Sequence, residues 1–156
     1  MRDPAAYAVV GVGVDVVGTS RFERLLHRGG ERVWQHWFTE TEADECARHS
    51  RPALAAAVRF AVKEATYKAV GLEFSGGLRW RDIEVLGREP AVDVVLHGEA
   101  AAAAATARVA RYRVSVCHME TRVLAMVLAE GTGAEPDHPA ESHVCTPQHT
   151  TTRGYG

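Results

Sequence analysis

The stretch from Pro52 to Gly71, PALAAAVRFAVKEATYKAVG, constrains the fold more than any other part of the chain. Its helical spacing, a proline tolerated in the first turn and a glycine placed as a C-terminal stop predict the longest helix of the protein. GVGVDVVG, Gly11 to Gly18, reads as a strand. Alternation sends Val12, Val14 and Val16 to one face, expected to be core, and leaves Gly11, Gly13 and Asp15 on a nearly bare one. Asp is depleted in strands, and interior Gly often marks a place where a ligand or another backbone comes close. Asp15 is therefore a candidate site residue. The competing reading is a strand-end Asp that caps a turn or pairs with an arginine.

Thr19-Ser20 is read as the cap of a helix through RFERLLHRGG, with Phe22, Leu25 and Leu26 inward and Gly29-Gly30 ending it. Arg21, Arg24 and Arg28 form a stripe on its opposite face, either simply solvated or turned to an acidic partner. Trp34, Trp37 and Phe38 form an aromatic plug, after which Thr39 and Glu42 make a capping box for a short helix to about Arg48. LRWRDIEVLG and AVDVVLHG alternate as strands around the turn GREP, which predicts a hairpin. EAAAAAATARVAR is a helix of high propensity, and RYRVSVCHM and RVLAMVLAE are two more strands, expected to be antiparallel neighbours. Strands and helices so interspersed give an α+β fold in one domain, residues 1–130. Residues 131–156 have almost no large apolar side chains and are expected to be a disordered tail.

The chain is long enough to bury a core without disulfides or metals. Its 18 basic and 20 acidic side chains give a net charge of −2, which supplies no global attraction for nucleic acid or an anionic membrane. Three cysteines without ligand spacing, no signal-peptide pattern and no bilayer-length apolar run suit a cytoplasmic protein.

Chemistry concentrates in RFAVKEATYK. Arg59 and Lys63 are one turn apart on one face, unfavourable unless an anion lies between or above them, while Glu64 and Lys68 are in the favourable order. A phosphate-rich ligand with a divalent metal needs this mixture of cations and carboxylate; an ordinary salt-bridged surface is the plainer alternative. Asp82 and Glu84 share a strand face, and a charged solvent face is favoured over a metal pair there.

GVGVDVVGTSRF, FTETE, RFAVKEATYKAVG, WRDIEVLG and VSVCH, in this order and at these separations, resemble the motifs of the holo-[acyl-carrier-protein] synthases, the small type of 4′-phosphopantetheinyl transferase. The resemblance spans Val9 to Glu130. It implies an antiparallel sheet with a long central helix packed against it, and a homotrimer with active sites between subunits. The implied reaction moves the 4′-phosphopantetheine arm of coenzyme A to a serine of an apo acyl carrier protein and releases adenosine 3′,5′-bisphosphate. It serves fatty acid or other lipid biosynthesis, or polyketide or peptide assembly. Asp15 and Glu64 are the implied Mg²⁺ ligands, with Lys68 orienting Glu64 or reaching a phosphate. Arg59, Lys63 and His118 are implied phosphate contacts, with Phe60 and Gly71 lining the cleft, and Arg21 meets the carrier protein; Arg24 and Arg28 join it by helical phase. The serine proton goes to Glu64, Asp15 or water, with no choice among them from sequence. Three positions depart from the family pattern: Gly18 where an acidic residue is usual, Glu89 inserted in the turn, and Cys117 where serine is common. The rival reading is an inactive module that binds coenzyme A or a carrier protein.

Overall fold

The computed structural model describes residues 7–72 and 79–132. Five strands and four helices occur in the order β1 (Tyr7–Gly18), α1 (Thr19–Trp37), α2 (Glu40–Ala47), α3 (Pro52–Val70), β2 (Ile83–Arg88), β3 (Ala91–Leu96), α4 (Gly98–Thr106), β4 (Val109–His118) and β5 (Arg122–Thr132), with a 3-10 turn at Trp80–Asp82. The architecture is α+β. Strands β1, β5 and β4 form an antiparallel sheet in that spatial order, and β2 and β3 form a separate hairpin.

Helix α3 is the centre of the molecule. It lies against β1 and β5 on one side and meets α1, α2 and β2 on others. Leu54, Ala56, Ala57, Val58, Ala61, Val62 and Ala65 are all buried, so its alanines belong to the core. Pro52 opens it as expected, and Gly71 ends it in the left-handed region (φ 69°), donating its N–H to the Lys68 and Tyr67 carbonyls. Only glycine enters that region without steric cost.

The small residues of β1 decide how close α3 comes. A Cβ placed on Gly13 would stand 1.8 Å from the Ala65 carbonyl oxygen, and one on Gly11 would stand 1.9 Å from that of Ala69. The face of Gly11, Gly13 and Asp15 is thus the inner one, packed on the helix backbone. The expectation that the valines face the core is overturned: Val12, Val14 and Val16 are 56%, 45% and 48% exposed in the single chain. Across the sheet Val14 pairs with Met126 and Val16 with Leu124, both also exposed, so the outer face is a continuous apolar surface.

Helix α1 also departs from expectation. It begins at Thr19 with Gly18 at the N-cap, and Thr19 donates through Oγ1 to the Glu120 carbonyl at 3.1 Å instead of capping the helix. At Gly30 the backbone leaves the helical region (φ 52°, ψ −141°), so the first helical stretch ends there as expected, and a second one continues across the kink to Trp37. The kink lets Phe22 and Trp37, at opposite ends of α1, meet at 5.8 Å. The Thr39–Glu42 capping box forms as predicted. Trp80–Asp82, read as strand, is a 3-10 turn, where Asp82 bonds the Arg79 backbone at 3.1 Å. β5 continues through Gly131 and Thr132. The rest of the expected tail lies outside the described residues, and no described helix is long and apolar enough to cross a membrane.

Candidate functional site

Asp15 near the end of β1 and Glu64 in the middle of α3 line one cleft of about 400 Å³, together with Arg21, Leu25, Trp37 and Phe60. The close seating of β1 on α3 brings the two carboxylates together. Lys68, one turn beyond Glu64, donates to Asp15 Oδ1 at 2.9 Å and to the Val14 carbonyl at 3.0 Å. Partial burial, then the charge of Asp15, push the Glu64 carboxyl up to about 7, with Lys68 opposing. Two partly buried carboxylates beside one lysine form an electron-rich corner that favours an added cation or proton.

The wall of this cleft is aromatic. Phe60 stacks on Trp37 at 4.6 Å, touches Phe22 at 5.4 Å and meets Trp80 at 5.2 Å. Phe60, expected to line a cleft with Arg59 and His118, lines this one without them, and Trp37, expected in an aromatic plug, returns to it through the kink at Gly30.

Arg59 and His118 do not share this cleft. They line a second one of about 540 Å³, with Arg48, His49, Arg88 and Glu89. Arg59 is 4% exposed and donates to Glu45 at 2.6 Å, the Gly87 carbonyl at 3.0 Å and the Ala55 carbonyl at 3.2 Å. Its Nε has no partner among the described residues. His118 Nε2 stands 3.6 Å from Glu89, the residue inserted in the turn. Five basic or imidazole side chains line it against two acidic ones, Glu45 and Glu89, so the cleft suits an anion.

Lys63 reaches neither cleft. Its side chain has no exposure and its ammonium is bonded to Glu42, at 2.9 Å, and to the Trp80 and Ile83 carbonyls. A phosphate contact through Lys63 is therefore at odds with its inward direction. Burial pulls this amine below its ordinary value, and Glu42 acts against that. Glu42 was legible as a capping residue, but nothing local signals that its carboxylate is buried against Lys63. Gly71 acts as the stop of α3. Arg24 and Arg28 lie exposed on α1, on the side of Arg21. Asp82 and Glu84 do not converge: Asp82 faces Arg79, while Glu84 accepts from Thr39 at 2.6 Å and lies 2.9 Å from His97.

Residues 11–117 match the family model of the 4′-phosphopantetheinyl transferase superfamily. A holo-[acyl-carrier-protein] synthase of Geobacter sulfurreducens is 36% identical over 126 residues, 78% of this chain and 98% of that one. The crystal structure of holo-[acyl-carrier-protein] synthase from Neisseria meningitidis superimposes with a TM-score of 0.68 at 29% identity, covering 78% of this chain and 98% of that chain. A holo-(acyl-carrier-protein) synthase from Bacillus anthracis, in complex with CoA (3′,5′-ADP), gives a TM-score of 0.63 at 25% identity over 81% of this chain and all of that one. With sequence match, fold and shared length in agreement, the chain belongs to the 4′-phosphopantetheinyl transferase superfamily, among its holo-[acyl-carrier-protein] synthases.

Proposed function

We propose that this protein, in the cytoplasm, transfers 4′-phosphopantetheine from coenzyme A to a serine of an apo acyl carrier protein, using Asp15, Glu64 and Lys68. The observation that carries the reading is the corner in which Asp15 and Glu64 share a cleft with Lys68 braced on Asp15. The serine oxygen forms a bond to the β-phosphorus of coenzyme A. The bond to the bridging oxygen breaks, adenosine 3′,5′-bisphosphate leaves with that electron pair, and the serine proton passes to Glu64, Asp15 or water.

The residues fit a hard divalent cation. Burial first, and then the charge of Asp15, raise Glu64 to about 7, and a positive charge between the two carboxylates relieves both effects. Among the described residues no third metal-ligating side chain joins them, which leaves positions for phosphate oxygens and water, as Mg²⁺ prefers. Asp15 and Glu64 would hold it, and when bound it supplies Lewis-acid neutralisation of the pyrophosphate. Lys68 keeps Asp15 oriented, the Phe60–Trp37 wall limits water, and Arg21 at the rim presents positive charge to an acidic carrier protein.

Arg59 and His118 face a different cleft of the same chain, which suits an assembly whose active site is shared between neighbours. The exposed apolar face of Val12, Val14, Val16, Leu124 and Met126 offers the surface for such self-association. The homotrimer of the family is the expected form, with the basic cleft of one subunit completing the carboxylate cleft of the next around coenzyme A.

The test is the intact mass of an apo acyl carrier protein after incubation with this protein, coenzyme A and Mg²⁺, beside Asp15→Ala and Glu64→Ala. A gain of one phosphopantetheine group, lost in both variants, supports the reading. Bound coenzyme A with no gain on any carrier would point to a binding module instead.

A further inference from the structure

Glu42 and Lys63 form an ion pair in which neither side chain has any exposure. The bonds of Lys63 to Glu42 and to the Trp80 and Ile83 carbonyls use all three ammonium donors. Glu42 in turn accepts from the Thr39 N–H at 2.8 Å and the Val85 N–H at 2.9 Å. One buried pair thus ties α3 to the start of α2, the 3-10 turn and the start of β2. Pairs of this kind are costly to dehydrate and are often replaced by apolar side chains without loss of stability, so stability alone is a weak reason for one.

The 3-10 turn held by Lys63 bears on the cleft. Trp80, whose carbonyl Lys63 binds, packs its ring on Phe60 at 5.2 Å, and Phe60 carries the stack with Trp37. Phe60 and Trp37 line the cleft with Glu64, the residue that directly follows Lys63.

We infer that the Glu42–Lys63 pair is a positioning device for the transfer reaction: Lys63 holds the Trp80 and Ile83 carbonyls, which sets Trp80 against Phe60 and so fixes the cleft wall beside Glu64, and it makes no contact with the phosphates of the substrate. The inference rests on the transfer reaction proposed above. Lys63 acts through Trp80 and is a positioning residue; its neighbour Glu64 is the one that faces the reacting groups.

The experiment compares wild type, Lys63→Met and the double variant Glu42→Gln/Lys63→Met in carrier-protein modification, thermal unfolding, and titration with adenosine 3′,5′-bisphosphate. Displacement of a cleft wall is expected to lower kcat about 10- to 100-fold in Lys63→Met, because reacting groups tolerate little misplacement. Affinity for the bisphosphate should stay within about threefold of wild type, because a residue without phosphate contact loses no charge-assisted bond. The double variant should regain melting temperature lost by Lys63→Met, since no charge is left buried without a partner, yet keep the lowered kcat, because the Trp80 and Ile83 carbonyls remain unheld. A loss of bisphosphate affinity of about tenfold or more would make Lys63 a phosphate ligand after all and overturn the inference. A kcat that recovers in step with melting temperature would reduce the pair to a structural one and overturn it equally. Should Lys63→Met not fold, kcat and affinity of the double variant decide by the same criteria. A wild-type protein that modifies no carrier would sink the proposed function itself, and the bisphosphate titration would still report whether Lys63 touches phosphate.

Discussion

Lys68 Nζ donates to Asp15 Oδ1 at 2.9 Å and so clamps helix α3 to strand β1 beside Glu64. The clamp holds one carboxylate of the pair, while the other is left with a proton affinity well above the usual range.

The Glu64 carboxyl rises on folding from the usual 4.5 to about 7. A group raised in this way adds stability below its unfolded value and loses it as the pH climbs through the folded one, because the folded protein must then hold an ionised, partly buried carboxylate. Glu64→Gln removes that burden. Without metal, its stability relative to wild type should increase by about 1–2 kcal/mol between about pH 4.5 and about pH 8, after allowance for solvent access. Urea unfolding in EDTA measures it. A difference independent of pH would count against the raised carboxyl, and added Mg²⁺ should shrink the difference at the higher pH.

Gly13→Ala puts a methyl group 1.8 Å from the Ala65 carbonyl, where backbone and not a flexible side chain must give way. A loss on the order of 3 kcal/mol or more is expected, from overpacking between strand and helix. Gly18→Ala, whose added Cβ meets nothing nearer than 3.9 Å, should stay within about 0.5 kcal/mol of wild type. Melting curves of the two variants side by side decide the matter; equal behaviour would refute the close approach.

Val14→Lys and Met126→Glu each place a charge on the exposed apolar face of the sheet. Either should shift the mass seen by light scattering from an oligomer to a single chain and lower carrier-protein modification at least about tenfold, since a buried unpaired charge opposes association. A wild-type protein that is already a single chain, or an active single-chain variant, would remove the case for a shared active site.

Arg21→Glu reverses the charge at the rim of the carboxylate cleft. KM for the carrier protein should rise about tenfold while KM for coenzyme A holds, and the salt dependence of the carrier reaction should flatten. An unchanged KM with steep salt dependence would move the carrier surface elsewhere.

The candidate site was partly legible from residues alone. Asp15 is marked by its presence in a strand of glycines and valines, and Glu64 and Lys68 by their spacing on the longest predicted helix. The structure gathers these three, and adds Phe60 and Arg21 to their cleft. Arg59 and Lys63, one turn apart in sequence, were expected to serve phosphate together, but Arg59 turns to the second cleft and Lys63 to Glu42. Helical spacing says which residues share a face, and says nothing of what that face meets.

The sequence by itself determined where α2 begins and where α3 begins and ends: the Thr39–Glu42 box, Pro52 and Gly71 act through bonds and dihedrals a few residues away, so they are read locally. Tertiary structure alone decided which face of β1 is inside. Alternation of period two is satisfied equally by covering the valines or the glycines, and the choice fell to the glycines because only a bare strand lets the backbone of α3 approach at Ala65 and Ala69. That contact, made between residues about fifty apart in the chain, is what seats Asp15 beside Glu64 and leaves the valines facing outward.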